Sequence, residues 1–272
     1  WRFLGLVLAV ILVGATSFSL ETIQTWLPSR VPSNLDLACN TLGGLLGALW
    51  AQHVGPRVFN RISHWQHQLI APVPHAELGL TLLGLWLLVP LSPETLLFGA
   101  GDLRQALGLM GAVPFAAESF VLIEASITAF NTVAVGLMLR WLILRTRWAY
   151  LLVPLFLLLG LAVRTLATVI LIGPQDALSW MTPGAELGLI LGLLILALAL
   201  PLPANARLVL AGMALMAGTV LVNLAPPNPY SQAALAAWRQ GHFLNFNGLT
   251  RLVATLWPFL TLPFLLLTTR RQ

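Results

Sequence analysis

The chain has 272 residues, of which 58% are hydrophobic and only 8% are charged. A soluble domain of this length typically carries about a quarter charged residues, so the composition excludes an ordinary soluble domain. The mean hydropathy is +0.88. The net charge of +5 comes from a chain whose basic residues are all arginines, grouped in particular loops. That grouping is typical of a membrane-topology signal, and we predict no nucleic-acid partner.

Apolar runs of about the length that crosses a bilayer recur along the chain and predict an all-α, polytopic transmembrane helical bundle. About eight spans are predicted. They cover residues 3–22, 36–53, 76–91, 114–139, 148–172, 184–200, 206–224 and 250–268. The chain begins at Trp1 and not at Met, so we expect a further N-terminal portion before the first span.

The distribution of arginines over alternate loops predicts the orientation in the plasma (inner) membrane. One set of segment ends carries Arg2, Arg57, Arg61, Arg140, Arg145, Arg147, Arg207, Arg270 and Arg271. The other set carries Arg30, Arg104, Arg239 and Arg251. Because the arginine-rich side is normally cytoplasmic, we expect both termini of this chain in the cytoplasm. Loops 23–35 and 225–249 then lie on the outer face.

The second predicted span carries a stripe of polar and small residues. Asp36, Asn40, Gly43 and Gly47 are spaced by three or four residues, so they share one helix face. The pair Gly43 and Gly47 is typical of a face on which another helix packs closely. The stripe therefore predicts that Asp36 and Asn40 point toward a neighbouring helix, for which the first span is the best candidate.

Polar residues on both sides of loop 23–35 form a candidate site. Glu21 and Gln24 end the first span, Arg30 lies in the loop, and Asp36 and Asn40 begin the second span. In the structural interpretation, Arg30 neutralises an acid and the group joins two helices, with Ser33 or Asn34 as the helix cap. In the functional interpretation, the group is a polar pocket at the outer boundary, where Arg30 binds a phosphate or carboxylate.

The spacing of these residues resembles the signature of the VanZ-like family. It is carried by Glu21, Gln24, Pro28, Arg30, Ser33, Asp36, Asn40, Gly43 and Gly47. The stretches "NLAPPNPY" and "GHFLNFNGLTRLVATLWPFL" are similar to the longer members. The resemblance implies an integral membrane protein of the cell envelope, associated with low-level resistance to the glycopeptide teicoplanin, without an accepted catalytic mechanism. Residues 1–53 are then the C-terminal part of a VanZ-like domain.

Three functions are compatible with this interpretation. The first is binding or repositioning of a lipid-linked or cell-wall component, with membrane lipids as the other partners. The second is an enzyme acting on a lipid or cell-wall precursor at the outer leaflet, with Asp36 or Glu21 as general base. The third is a transporter, which predicts internal repeats and broken helices. No cofactor is predicted, and the sequence makes no prediction of the oligomeric state or of catalytic residues.

The rest of the chain divides into residues 54–75, predicted as a cytoplasmic connector, and residues 76–272, predicted as a C-terminal transmembrane region. The connector region contains His53, His64, His67 and His75, which we interpret as a solvated stretch, so no metal site is predicted. A second outer cluster consists of His242, Asn245, Asn247 and Arg251. It is interpreted either as an interfacial elbow that begins the last span or as part of a pocket with Arg30 and Asp36.

Ionisable residues also occur within the predicted spans. Glu124 and Asn131 share a face of the fourth span, whereas Glu118 is turned away from it. Arg164 in the fifth span is predicted to neutralise Glu124, either as a packing bridge or as part of a proton or ion path. Asp102 and Arg104 are expected to form an exposed pair in an outer turn.

Overall fold

The structure, a computed structural model, describes residues 2–24, 34–92, 95–108, 114–226, 228 and 247–269. The chain divides into two compact units, Trp1–Gln68 and Leu69–Gln272. Within the described residues the regular structure is helical, apart from an isolated antiparallel bridge between Ile70 and Ile143. The predicted all-α class is confirmed.

The first unit consists of α1 (Arg2–Gln24) and the part of α2 (Asn34–Leu69) that precedes residue 69. α1 carries no charged residue between Arg2 and Glu21 and contains no proline that would interrupt the helix. Asp36 lies in the first turn of α2, where the positive end of the helix dipole favours an anion. The predicted boundaries of the first span, 3–22, agree with α1 to within two residues.

The second helix is longer than predicted, because α2 continues through Pro56 to Leu69. The predicted connector, 54–75, is therefore mostly helical. The falling hydropathy after residue 53 marks the end of the apolar stretch and not the end of the helix. Residues 54–69 repeat apolar positions every three or four residues, a pattern that favours an amphipathic helix. These positions are Val54, Val58, Ile62, Trp65 and Leu69.

The second unit is a bundle arranged around one buried helix. Its helices are α3 (Ala76–Trp86), α4 (Arg104–Leu107), α5 (Ala117–Leu142), α6 (Thr146–Leu171), α7 (Pro183–Ala199), α8 (Ala204–Leu224) and α9 (Asn247–Thr269). Two short 3₁₀ helices cover Val89–Leu91 and Pro174–Asp176. α5 packs against α3, α6, α7 and α8, and α9 packs against α8 and α3. The core is therefore built on α5.

Helices long and apolar enough to cross a membrane are a common feature of both units. The described residues contain five of them, which fits a multi-pass membrane protein. They are Phe3–Ile23, Ala117–Leu142, Thr146–Ile170, Ala204–Leu224 and Gly248–Thr269. Ala76–Leu91 and Pro183–Ala199 are shorter apolar helices. The predicted count of about eight spans is not confirmed by length and composition.

Three glycines on one face of α7 allow it to approach α5 closely. Gly184, Gly188 and Gly192 recur every fourth residue and face α5. A Cβ atom added at Gly188 would lie 2.5 Å from the carbonyl oxygen of Ala125 and 2.7 Å from Cβ of Thr128. Small residues at such spacing let helix backbones come together where no side chain would fit. The two helices therefore run side by side in the same direction.

The third predicted span is not one helix. α3 is followed by the 3₁₀ helix Val89–Leu91 and then by a stretch that leads to α4, whose described residues, 92 and 95–103, are non-helical and mostly buried. Near the start of this path, Gly79 of α3 faces Leu142 at the carboxyl end of α5. Near its end, the carbonyl oxygen of Leu97 accepts a hydrogen bond from Thr128. These points are about 21 Å apart along α5, so the path runs nearly the length of the bundle.

The far end of this path is held by α8 and α9. The amide side chain of Asn223 donates to the carbonyl oxygen of Gly101, at 2.8 Å, and accepts from the backbone N–H of Leu103, at 2.9 Å. The N–H of Gly101 donates to the carbonyl oxygen of Ala254. Gly101 has a φ of +87°, and an added Cβ would lie 2.7 Å from Thr219, so both conformation and space require glycine here.

Replacement of Gly188 by alanine tests the close approach of α5 and α7. We expect Gly188→Ala to lower the free energy of unfolding by about 1–3 kcal/mol, because the new methyl group overpacks the contact. Gly212→Ala in α8 is the matched control, since a Cβ there meets no atom within 4 Å. Thermal unfolding of both variants in detergent micelles provides the measurement. Equal melting temperatures for the two variants would contradict the proposed contact.

Candidate functional site

The predicted site in the first unit is described only in part. The side-chain amide of Asn40 donates a hydrogen bond to the Ser17 hydroxyl at 3.0 Å, which joins α2 to α1. Glu21 is half-buried and Asp36 is exposed. Arg30 and the side chain of Gln24 lie outside the described residues. Whether these five residues share one pocket therefore stays a prediction.

The contact between α1 and α2 uses a different glycine from the predicted pair. A Cβ added at Gly44 would lie 2.9 Å from Val13, whereas one added at Gly43 or Gly47 would meet no atom within 4 Å. α1 therefore approaches α2 at Gly44, next to the predicted stripe, on the face that also carries Thr41. The prediction that the stripe faces the first span therefore holds for Asn40, which contacts Ser17, but not for Gly43 and Gly47.

The second predicted cluster also lies mostly outside the described residues. This holds for His242, Asn245 and the side chain of Asn247, whereas the backbone of Asn247 begins α9. Arg251 is half-exposed in the second turn of that helix. The proposed pocket with Arg30 and Asp36 is therefore a prediction, and so is the interfacial elbow.

The second unit contains a small polar cavity near the amino end of α5, which we call the Glu124 cavity. Its volume is about 40 Å³. The residues that line it come from α5, α6, the stretch before α4, the turn before α7 and the segment after α8. They are Thr95, Leu96, Leu97, Glu124, Arg164, Thr168, Ile172, Ser179, Trp180, Thr182 and Asn228. This space accommodates one or two water molecules or a single polar group of a ligand.

Glu124 is held by the amino end of α7. Thr182 is the N-cap of α7, and its hydroxyl accepts from the N–H of Ala185 at 3.2 Å and donates to Oε1 of Glu124 at 2.7 Å. The carboxylate lies against Gly184, where an added Cβ would be 2.9 Å from its Cδ. A helix amino end favours a negative charge, so this position stabilises the carboxylate.

One oxygen of this carboxylate has no hydrogen-bond donor within the described residues. Glu124 is only 2% exposed, and its Oε2 atom is buried without a partner. A buried acceptor that stays unsatisfied costs about 1–3 kcal/mol, and more when it is charged. A donor supplied by water or by a ligand in the cavity would remove that cost.

Arg164 stabilises the non-helical stretch. Its guanidinium donates to the carbonyl oxygens of Ser92 and Thr95, the latter at 2.7 Å. These carbonyls follow the end of the 3₁₀ helix Val89–Leu91 and have no place in a helical ladder. The neighbouring residue Phe98 has a φ of +58°, an uncommon backbone conformation for an aromatic residue. Its ring packs on Trp86, with centroids 4.9 Å apart, and this packing stabilises the turn.

The predicted neutralisation of Glu124 by Arg164 takes a different form. The two charges attract each other through space, but no nitrogen of Arg164 lies within 4.0 Å of the carboxylate. Arg164 instead binds backbone carbonyls, and Glu124 binds Thr182. Glu124 and Asn131 are both buried whereas Glu118 is exposed. Glu124 lies against Gly184 of α7 and Asn131 lies against Gly218 of α8, so the two residues of the predicted face contact different helices.

The predicted pair of Asp102 and Arg104 forms, but the prediction that it is exposed is wrong. The two side chains form a bidentate ion pair, with nitrogen–oxygen distances of 2.9 and 2.6 Å, and both are partly buried. Arg104 also donates to the carbonyl oxygen of Ala225, just beyond α8. The pair therefore joins the end of the non-helical stretch to α8.

The part of the site that α7 contributes was not predicted from the sequence. The available signal was Thr182 followed by Pro183, a typical N-cap and first helical residue, together with the glycines at positions 184, 188 and 192. This pattern predicts where α7 begins and which face packs closely. It does not predict that the partner is Glu124.

Comparison of the chain with models of protein families, with curated proteins and with solved structures finds no match. The geometry of the described residues therefore carries the functional argument, and the resemblance to the VanZ-like family stays a prediction.

Replacement of Arg164 tests its role at the cavity. We expect Arg164→Leu to lower the free energy of unfolding by about 3 kcal/mol or more, because two carbonyls lose their donor and Glu124 loses a nearby cation. Arg164→Lys keeps the charge but not the planar fork, so its loss is expected to be smaller. Thermal unfolding of the purified protein measures both. Arg147→Leu, at an exposed position, is the control, and a similar loss in that variant would contradict the assignment.

Proposed function

We propose that this chain is a multi-pass protein of the plasma (inner) membrane with about eight spans. Four of the five long apolar helices belong to the second unit. α7 and the path from α3 to α4 also run between the two ends of that unit, which gives six passes. α1 and the apolar first part of α2 supply two more. The broken pass is compatible with a bilayer because its described non-helical residues are mostly buried, and α7 is compatible because a helix satisfies its own backbone groups.

The distribution of charge supports the proposed orientation. Arg140, Arg145 and Arg207 lie where α5 ends and where α6 and α8 begin, whereas Glu118 and Glu124 lie toward the opposite end of α5. By the positive-inside rule the arginine end is cytoplasmic. In this orientation the Glu124 cavity lies near the outer face. Loops 23–35 and 225–249 are also on the outer face, and both termini of the chain are cytoplasmic.

We infer that the protein acts in the cell envelope by binding or repositioning a lipid-linked or cell-wall component. The motif that resembles the VanZ-like family supports this inference, and lower glycopeptide access would be one consequence. In that motif, Arg30 binds an anionic group, Glu21 and Asp36 orient Arg30, and Gln24 and Asn40 supply neutral hydrogen bonds.

The observation that carries the proposal is the buried Oε2 atom of Glu124, which lacks a donor and belongs to a cavity wall. A carboxylate in this position accepts from an ammonium, hydroxyl or amide group. The cavity is too small for a whole lipid headgroup, so only one polar group of the ligand enters it. The remainder of the ligand would lie along the outer boundary of the membrane.

A transporter is the second candidate. The broken path from α3 to α4 favours it, because interrupted passes beside buried ionisable residues are frequent in transporters. In this function Glu124 would bind the transported cation or a coupled proton. Substrate flux that depends on Glu124 would distinguish it from binding alone.

Substitution at Glu124 tests the proposed binding. The full chain is purified in a mild detergent, and the lipids and precursors that stay bound to it are identified by native mass spectrometry. We expect the amount of lipid-linked component that copurifies with the Glu124→Gln protein to fall by about tenfold or more, because a charged acceptor is replaced by a neutral amide. Glu118→Gln, an exposed acid on the same helix, is the matched control and should retain the component.

Two further variants separate the contributions of the two units. Loss of the component in Arg30→Ala or Asp36→Asn would support binding at the motif, and loss in Glu124→Gln would support binding at the cavity, each judged by itself. Retention in Glu124→Gln at the level of Glu118→Gln would contradict a ligand at the Glu124 cavity. Absence of any lipid-linked component from the parent protein would contradict the envelope function.

A further inference from the structure

Two arginines at the opposite end of the second unit form a cluster that the proposed function does not use. Arg140 lies in the last turn of α5 and Arg207 lies in the first turn of α8. Each side chain is only 8% exposed. α8 packs antiparallel to α5, with Gly218 against Asn131, so Arg140 and Arg207 lie at the same end of the bundle, where their like charges repel each other. Within the described residues, neither has a carboxylate within 4.0 Å.

Their hydrogen bonds satisfy only part of each guanidinium group. Arg140 donates to the carbonyl oxygen of Ile143 at 3.0 Å and to the hydroxyl of Thr146 at 2.9 Å. Arg207 donates to the carbonyl oxygen of Leu200 at 3.2 Å. These acceptors lie at the ends of α5 and α7 and at the start of α6, so part of the role is structural. The Nε atoms of both arginines are buried and lack an acceptor within the described residues.

The start of α8 adds to the positive potential. Its N-cap, Pro203, provides no side-chain acceptor for the first turn. The first N–H groups of a helix have no partner within the helix, and its amino end is positive. A cation such as Arg207 in this turn is unfavourable. An anion would offset both the helix dipole and the repulsion between the two arginines.

We propose that Arg140 and Arg207 together bind one phosphate group at this end of the bundle. Guanidinium groups match phosphate because their N–H donors form paired, charge-assisted hydrogen bonds with its oxygens. The phosphate is either that of an anionic phospholipid headgroup or free inorganic phosphate. The first source fits the proposed cytoplasmic boundary, where basic pockets between spans bind lipid headgroups. This site is separate from the Glu124 cavity.

The test uses the full chain in dodecyl maltoside micelles, which contain no phosphate. Phosphatidylglycerol is titrated in one arm and inorganic phosphate in the other, and the melting temperature is followed. We expect an increase of about 3 °C or more in at least one arm, because a ligand that binds only the folded state stabilises it. If the melting temperature rises with phosphatidylglycerol alone, the ligand is the lipid headgroup. If it also rises with inorganic phosphate, the site binds the free anion as well.

Variants distinguish binding from a structural role. Arg140→Gln and Arg207→Gln should each weaken the ligand by about tenfold or more, whereas Arg147→Gln, exposed at the same end, should not. A purely structural role would lower the melting temperature equally with and without ligand. If Arg207→Gln does not fold, Arg207→Lys replaces it in the test. Because lysine keeps the charge, this variant should show part of the ligand-induced rise in melting temperature. The absence of a shift in both arms, or an undiminished shift in both Gln variants, would overturn the proposal.

Discussion

The main constraint on this structure is that buried backbone N–H and C=O groups need hydrogen-bond partners within the protein. Helices meet this need internally, but the stretch between Val89–Leu91 and α4 does not. Its backbone polar groups form hydrogen bonds with residues of other helices, namely Arg164, Thr128, Asn223 and the carbonyl oxygen of Ala254. These partners come from α5, α6, α8 and α9. The non-helical stretch therefore links most of the second unit.

This constraint also explains why the Glu124 cavity lies where it does. The non-helical stretch leaves carbonyl oxygens that require hydrogen-bond donors, and Arg164 supplies them for Ser92 and Thr95. A buried cation in turn favours a nearby anion, which Glu124 provides at the amino end of α7. Gly184 and Thr182 allow α7 to approach so closely that the carboxylate is held at Oε1. The other oxygen faces a space that only a small polar group can fill.

The fold class and most helix boundaries could be predicted from the sequence because apolar length is a local property. The predicted spans 206–224 and 250–268 differ from α8 and α9 by at most three residues. Local hydropathy could not predict that α2 continues past Pro56, since an amphipathic helix follows the apolar one. It also could not predict the broken third pass, because its stability comes from residues more than sixty positions away, such as Arg164. The candidate site was missed for the same reason.

The central proposal, that the chain crosses the membrane between the start of α3 and the end of α4, can be tested directly. Cys39, the single cysteine, is replaced by serine, and a cysteine is introduced at His75 or at Leu107, both of which are exposed. Intact cells are then treated with a membrane-impermeant maleimide. The account predicts labelling of the Leu107→Cys protein in intact cells and labelling of the His75→Cys protein only after the membrane is opened. Labelling of both in intact cells, or of neither, would mean that the stretch re-enters on the side from which it came.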